Sequence, residues 1–486
     1  MFRSLSRGSA HAAGKNNVLN VAIQSSAARH TALHQGSRRS IAATRRLDES
    51  ISSGNAHKAK FSPVWASRVK IPWVEALQAR REAEESMAKG VNPLSSHQAP
   101  EVDLTPKRME DSSVTTRLPL AQDPWLLDKY LNSTGHIRLG AILMDLDGLA
   151  GMVAYRHTGD SVMTVTAAVD RIVIEHPLKE ICDLELSGKV TYATGRSSME
   201  VSLQVAKAPA EGEAAKPEDV MITCAFTMVS LDPATRKPVA VAPLLLETEE
   251  DRQLFQKGEQ NYKTKKEMRA HHLLREEPND EESTLIHQMW QKEMAYKDPH
   301  NPVTRPPNVI HMKDTVLKTI QIMQPKFRNL HNFMIFGGYL LQQTFELAFC
   351  CASTAAGTRP TFLSLDPSTF ENPVPVGSHL YLKATVSFTD QLTNDDSIGA
   401  ESQKFTKIQV RVDSSVRDTP DGQRKPTGVF HYTFLVQKDI HVMPQSYSDF
   451  MIWLDAKRRA QEANARLLAG IMESNSLSTI REAVTE

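Results

Sequence analysis

Apolar residues in this sequence are concentrated in two long stretches, each followed by shorter runs in which apolar and polar positions partly alternate. The first stretch, LGAILMDLDGLAGMVAY, contains Gly140, and the second, GGYLLQQTFELAFCCA, contains Gly338. Each has helical length and is apolar on almost every side, so we expect two buried helices. The runs that follow are rich in Val, Ile, Thr and Phe, which favours β-strands.

The two stretches belong to an internal repeat. The segments VDRIVIEHPLKEICDLELSGKV and LDPSTFENPVPVGSHLYLKATV align without a gap at an offset of 196 residues, and the two glycines differ by 198. Five aligned pairs are Asp170 with Asp366, Glu175 with Glu371, Pro177 with Pro373, Leu184 with Leu380, and Val190 with Val386. A buried helix followed by an antiparallel meander, present twice, predicts the α+β class.

The first 47 residues contain no Asp or Glu and carry eight Arg and Lys among many Ser and Ala. This composition predicts a mitochondrial transit peptide and therefore a mitochondrial protein, which we expect in the matrix. The alternative is a disordered basic tail that binds an anionic partner. The remaining chain divides by composition into a flexible extension (48–115), a first unit (116–247), a charged helical linker (248–304), a second unit (305–445) and a C-terminal helix (446–486).

Overall composition narrows the classes of partner. The 57 Lys and Arg balance the 57 Asp and Glu, so no global field attracts nucleic acid or a membrane surface. No apolar run reaches the roughly 18 residues that a membrane span requires. The four cysteines lack metal-site spacing. We therefore expect no metal, no cofactor, no nucleic acid and no membrane span.

Three segments carry a resemblance to a known family. RNLHNFMIFGGYLLQQTFELAF (328–349) resembles the active-site segment of the mitochondrial double-hotdog acyl-CoA thioesterases, in the branch of acyl-coenzyme A thioesterase nine. YLNSTGHIRLGAILMDLDGLAGMVAYRH (130–157) resembles the matching segment of that family's first unit. AFTMVSLDPATRKPVAVAPL (225–244) resembles a strand and the loop after it.

The resemblance implies two fused hotdog domains, each an antiparallel sheet wrapped around a central helix, which pair into one continuous sheet. It implies hydrolysis of acyl-CoA thioesters to a free fatty acid and CoA, at sites between the paired units. One unit would supply the helix with its acid, and the other a loop residue. It also implies a homo-oligomer of such double units.

Thioester hydrolysis requires a polarised carbonyl and an activated water. N–H groups at a helix N-terminus polarise a carbonyl, and glycine there permits close approach, which fits Gly140, Gly337 and Gly338. A carboxylate can activate the water, and an acid inside an apolar helix needs a reason to be buried. Asp147 and Glu346 are the candidate acids.

Other polar residues flank the second apolar stretch. Asn329, His331 and Asn332 could hold the water or the carbonyl, and Arg328 and Arg138 could bind CoA phosphates. The halves differ, because at the 198-residue offset Asp147 aligns with Phe345 and not with Glu346. We therefore prefer the site that combines Asp147 with the loop 329–332.

Two other functions fit parts of the pattern. A hotdog hydratase would place a His and an acid in one short motif, but His331 lies fifteen residues before Glu346. A fused hotdog could also bind acyl-CoA, or act as a scaffold, without turning the thioester over. That alternative depends on whether an acid and a polar loop residue converge.

Overall fold

The computed structural model describes residues 71–88, 102–176, 180–210, 213, 215–270, 277–300, 303–331, 333–392, 404–418 and 422–471. The expected transit peptide (1–47) and the candidate Asn332 lie outside these residues. Among the helices within these ranges, none combines the length and apolarity needed to cross a bilayer.

In the part of the chain that the structure describes, twelve antiparallel strands form one sheet. Those of the first half are β2 (Val114–Leu118), β3 (Met163–Val169), β4 (Ile172–Ile174), β5 (Leu184–Ala193), β6 (Ser198–Lys207) and β7 (Val220–Leu231). Those of the second half are β10 (Leu317–Ile322), β11 (Thr361–Leu365), β12 (Ser368–Thr369), β13 (His379–Leu392), β14 (Phe405–Arg417) and β15 (Arg424–Val436). Other short strands form parallel pairs: β1 (Lys107–Arg108) with β8 (Leu244–Leu245), and β9 (Val309–His311) with β16 (His441–Met443).

The strand order is the same in both halves when each is read from its outer edge. It runs β2-β5-β6-β7-β4 on one side and β10-β13-β14-β15-β11 on the other. The halves meet where β4 pairs with β11 and β3 pairs with β12. The expected α+β class with a large antiparallel sheet is therefore confirmed.

One long helix packs on each half of the sheet. Central helix 1 (Leu139–Thr158) contacts β2, β3, β5, β6 and β7, and central helix 2 (Gly337–Ala356) contacts β10, β13, β14 and β15. Both are mostly buried, as their apolar composition predicts. The aligned residues Leu184 and Leu380 both have no exposed surface, so the sequence repeat is also a repeat of core positions.

The first half takes in residues before the expected boundary at 116. A turn at Met109–Ser112 places the Ser112 hydroxyl where it accepts the N–H of Val190 at 2.9 Å. The second half repeats this contact, because the hydroxyl of Thr315 accepts the N–H of Val386 at 3.0 Å. The repeated unit therefore begins close to β1 and β9.

Further helices pack around the sheet and its loops. They are the N-terminal helix (Trp73–Ala88), a single turn (Pro124–Leu127), linker helix 1 (Glu249–Ala270), linker helix 2 (Asp280–Lys297) and the C-terminal helix (Tyr447–Ile471). Linker helix 1 lies on β5, where Gly258 allows close approach to Tyr192. Arg458 of the C-terminal helix makes two hydrogen bonds to Glu282 of linker helix 2, at 2.8 and 2.6 Å.

Candidate active site

The two central helices touch, and each begins against the middle of the other. A Cβ added to Gly338 would lie 2.9 Å from the backbone of Met144, and one added to Gly140 would lie 3.1 Å from Cγ of Gln342. Both contacts keep the 198-residue offset of the repeat. Gly338 is required for the approach to the Met144 backbone, and Gly140 and Gly337 allow side chains of the other helix to approach closely.

The carboxylate of Asp147, a residue of central helix 1, lies at the first turn of central helix 2. Its side chain is almost fully buried, and Oδ2 accepts the N–H of Gly338 at 2.5 Å. Oδ1 accepts the hydroxyl of Thr166, on β3, at 2.7 Å. Gly337 must also be small, since an added Cβ would lie 3.0 Å from Oδ2. The acid of one half and a helix N-terminus of the other therefore converge.

Residues 328–331 and 333–336, which we call the site loop, connect to the first turn of central helix 2. The side-chain oxygen of Asn329 accepts the N–H of His331 at 3.0 Å, and its backbone N–H donates to the carbonyl of Met334 at 2.7 Å. Asn329 therefore shapes the loop with its carboxamide oxygen.

His331 lies next to Tyr155 of central helix 1. Its Nε2 lies 2.7 Å from Oη of Tyr155, which also accepts the N–H of Thr164 at 3.1 Å. Tyr155 follows Asp147 by eight residues, a rise of about 12 Å along an α-helix. Burial lowers the pKa of His331 to about 4, so the ring is neutral near pH 7. His331 is thus engaged by Tyr155, and its expected role in holding the water or the carbonyl stays a prediction.

Glu346, the second candidate acid, is not equivalent to Asp147. It forms an ion pair with Arg138 and accepts a 3.3 Å hydrogen bond from Gln342. The side chains of Arg138 and Glu346 are 40% and 38% exposed, so this pair is solvated. Glu346 thus lies near the first turn of central helix 1, but a cation already neutralises it.

Phe345 occupies the position that corresponds to Asp147. Its ring lies 5.6 Å from Phe362, 5.8 Å from Tyr432 and 6.1 Å from Phe434, between ring centroids. An aromatic cluster therefore fills the place where the first site has its carboxylate, and the two composite sites are chemically different.

Arg328 is also placed differently from the expectation. Only 6% of the residue is exposed, and its guanidinium donates to the carbonyls of Ile71 and Pro325 at 2.5 and 2.9 Å. A buried guanidinium held by backbone carbonyls is not presented to a CoA phosphate, so this role of Arg328 is corrected. Arg138 remains half-exposed.

The sequence did not single out Thr166, which contacts the carboxylate of Asp147, or Tyr155, which contacts His331. Thr164 and Thr166 are two residues apart on β3, which places both on the face that contacts central helix 1. Two hydroxyl residues on a core-facing side of a strand, and a Tyr in an otherwise apolar helix, are the signals that could have identified them. Within the described ranges, no cluster of three or more His, Cys, Asp or Glu could hold a metal ion.

Two known proteins that are similar in sequence to this chain are both named acyl-coenzyme A thioesterases. Human acyl-coenzyme A thioesterase 9, mitochondrial, is 34% identical over 367 residues, which cover 73% of this chain and 78% of that protein. Acyl-coenzyme A thioesterase 2, chloroplastic, from Humulus lupulus is 31% identical over 354 residues, covering 72% and 78%.

Among solved structures, an acyl-CoA hydrolase from Staphylococcus aureus in complex with butyryl coenzyme A is 20% identical. It covers 35% of this chain and 99% of its own, with a TM-score of 0.29, which is too low to add to the argument. No family model matches the chain.

Proposed function

The chain belongs to the mitochondrial acyl-coenzyme A thioesterases, and we propose that it hydrolyses acyl-CoA thioesters to a free fatty acid and CoA at the site of Asp147. Membership rests on 34% identity over most of both chains. The observation that carries the site is the hydrogen bond from the N–H of Gly338, in one half, to the carboxylate of Asp147, in the other.

In the proposed reaction, Asp147 acts as the general base. Its oxygens accept hydrogen bonds from Gly338 and Thr166, and a carboxylate offers about four acceptor positions, so it can also take a water proton. The water oxygen attacks the thioester carbon, and its proton passes to Asp147. When the C–S bond breaks, that proton moves to the CoA sulfur, and the products are the acid and the CoA thiol.

The first turn of central helix 2 supplies the positive end of the proposed site. N–H groups in the first turn of a helix have no carbonyl partner within that helix, and the helix dipole adds a partial positive charge there. As the water attacks, negative charge develops on the thioester oxygen, which this turn can stabilise. Gly337 and Gly338 allow the Asp147 carboxylate and the Met144 backbone to approach this turn closely.

The second composite site is proposed to be inactive. Phe345 stands where an acid would be needed, and Glu346 is paired with Arg138. The carboxylate of Glu346 is therefore engaged by the guanidinium of Arg138 and by the amide of Gln342. Turnover is therefore assigned to the site of Asp147 alone.

Replacement of each candidate acid by its amide tests this assignment. We expect Asp147→Asn to lower kcat for acyl-CoA about a hundredfold to ten-thousandfold, the usual contribution of a general base. We expect Glu346→Gln to change kcat less than about fivefold, because an exposed ion pair contributes at most about 1 kcal/mol. CoA release is measured with a thiol reagent, and circular dichroism checks that each variant is folded.

Other outcomes would point elsewhere. Equal losses in both variants would assign activity to both sites, and a loss in Glu346→Gln alone would reverse the assignment. If the unmodified chain releases no CoA from short, medium or long acyl chains but still binds them, the protein is an acyl-CoA-binding protein without turnover.

The domain architecture, the location within the mitochondrion and the oligomeric state are also proposals. Equal strand order, one central helix per half and the 198-residue offset support two fused hotdog domains, with a linker over 248–304 and a C-terminal helix from 446. The protein is mitochondrial, and a location in the matrix and a homo-oligomer of double units are the finer proposals. Fractionation of mitochondria and light scattering of the purified protein test them.

A further inference from the structure

The N-terminal helix lies against the site loop. Trp73, Ala76 and Arg80 are spaced three and four residues apart, so they share one face of the helix. Ala76 is 2% exposed, whereas Val74 is 60% exposed. One narrow face of this helix is therefore in contact with the rest of the protein.

Phe333 of the site loop lies between two residues of that face. The ring of Trp73 is 5.5 Å from the ring of Phe333, between centroids, and the guanidinium carbon of Arg80 is 5.0 Å from the same ring. Aromatic pairs and cation–π contacts at such distances each stabilise their arrangement. Phe333 in turn donates its N–H to the carbonyl of His331 at 2.7 Å. The helix thus contacts the loop within two residues of a candidate site residue.

Arg328 forms a second contact at the start of the site loop. Its buried guanidinium donates to the carbonyl of Ile71, just before the N-terminal helix, and lies 5.6 Å from the ring of Trp73. Burying this charge is tolerated because backbone carbonyls accept its hydrogen bonds. Trp73 therefore lies between Arg328 and Phe333, and the loop is held at two points.

The corresponding loop of the first half is held differently. Residues 133–136 are exposed, and Asn132 supports them with its own side-chain oxygen, which accepts N–H groups of Thr134 and His136 at 2.9 and 3.1 Å. The loop beside Glu346 is thus held by local hydrogen bonds and by one from Arg359 of the second half to the Thr134 hydroxyl. The loop that leads to the N–H of Gly338, and so to Asp147, is held by a segment from outside the repeat.

We propose that Trp73 is a positioning residue for the hydrolysis, acting through the clasp that it forms with Arg328 and Phe333. The clasp fixes the site loop, and the loop fixes the first turn of central helix 2 against Asp147. The N–H of Phe336, the last residue of the site loop, donates to the carbonyl of Phe327, which directly precedes the loop, at 2.9 Å. This hydrogen bond ties the end of the loop, at the start of central helix 2, to its beginning. This inference rests on the proposed function, because it concerns the geometry of that site.

The test compares Trp73→Ala, Trp73→Phe and Val74→Ala in the full chain. We expect Trp73→Ala to lower kcat about tenfold to a hundredfold, as small displacements of reacting groups do, with a smaller change in KM. Trp73→Phe should recover most of kcat, because it retains a ring against Phe333. Val74→Ala should match the unmodified chain. If Trp73→Ala does not fold, Arg80→Gln replaces it, with a smaller loss of kcat expected.

Hydrogen exchange of the backbone provides a readout independent of turnover. In Trp73→Ala, the amides of His331, Phe333 and Gly338 should exchange faster, while those of central helix 1 keep their rates. Unchanged kcat together with unchanged exchange would overturn the proposal, as would a higher kcat, which would mean that the helix obstructs the site. If the unmodified chain proves inactive on acyl-CoA, the proposed function fails, and the exchange rates alone decide whether the clasp orders the loop.

Discussion

At the residue scale, the hydroxyl of Thr166 is the clearest support for Asp147. It donates a 2.7 Å hydrogen bond to Oδ1, and a bond to a charged group contributes about 1.5–3 kcal/mol. We expect Thr166→Val to lower kcat about tenfold or more through lost orientation of the carboxylate. Thr166→Ser, which keeps the hydroxyl, should recover most of this loss. Steady-state kinetics measure kcat of both variants. Equal kcat for Thr166→Val and Thr166→Ser would rule out the hydrogen bond as the cause of the loss.

His331 predicts how stability depends on pH. Burial lowers its pKa from 6.5 to about 4, so between these values the unfolded chain binds a proton that the folded chain does not. Stability therefore falls as pH decreases through this window, by about 3 kcal/mol from this group. His331→Gln should show a shallower decrease in unfolding free energy between pH 6.5 and 4, measured in urea. Identical slopes in both proteins would contradict the burial of the ring.

The sequence identified residues whose chemistry is unusual for their surroundings. Asp147 stood out because an acid in an apolar helix is costly. Thr166 did not, since threonine is ordinary in a strand, and only its register on β3 places it beside the carboxylate. Arg328 was given the wrong role because a sequence shows a charge but not its burial, which here depends on Ile71 and Trp73.

At the scale of elements, the close approach of the central helices depends on glycine. A Cβ at Gly338 would lie 2.9 Å from the Met144 backbone, so Gly338→Ala must separate the helices, at a cost of about 1–3 kcal/mol. We also expect it to lower kcat. A shift of Met144 away from Gly338 also moves Asp147, which follows Met144 by three residues on the same helix. Chemical unfolding and CoA-release assays measure the two effects.

Gly151 on central helix 1 is the matched control. An added Cβ would meet no atom within 4 Å there, so Gly151→Ala should stabilise the protein by about 0.5–1 kcal/mol. Similar effects of the two substitutions would mean that the helix contact is not as close as described.

Pattern alone found the two central helices and the long strands, because burial leaves a strong periodic signal. The runs that follow the first apolar stretch correspond to β3 through β7. The edge strands β2 and β10 were not predicted. An edge strand pairs on one side only, and β10 has alternate exposed positions that include Ile320 and Ile322, which resemble a loop with scattered apolar residues.

At the scale of the molecule, the two halves share one sheet and the contact between central helices. We therefore expect one unfolding transition, to which core residues of both halves contribute. Leu184→Ala and Leu380→Ala remove equivalent, fully buried side chains, so each should lower the stability by about 2–5 kcal/mol. Differential scanning calorimetry should show a single peak in both variants, shifted to lower temperature. Two separate peaks in either variant would show that the halves unfold independently.

The repeat predicted two similar halves, but the joining of their sheets was known only through the resemblance. Direct pairing between β4 and β11 involves two residue pairs, Val173 with Ser364 and Ile172 with Leu365. So short a contact leaves no periodic signal that could be read from either strand alone.

The difference between Asp147 and Phe345 has a genetic consequence. In an assembly of two identical chains, one codon specifies the acid of both sites, and its loss removes both at once. On a single chain these positions are separate codons, so the second could change to Phe while the first kept its carboxylate. At the second position, the ring of Phe345 packs with Phe362, Tyr432 and Phe434 in the interior. If only the site of Asp147 turns over, as proposed, selection on catalysis acts on one copy and selection on folding acts on both.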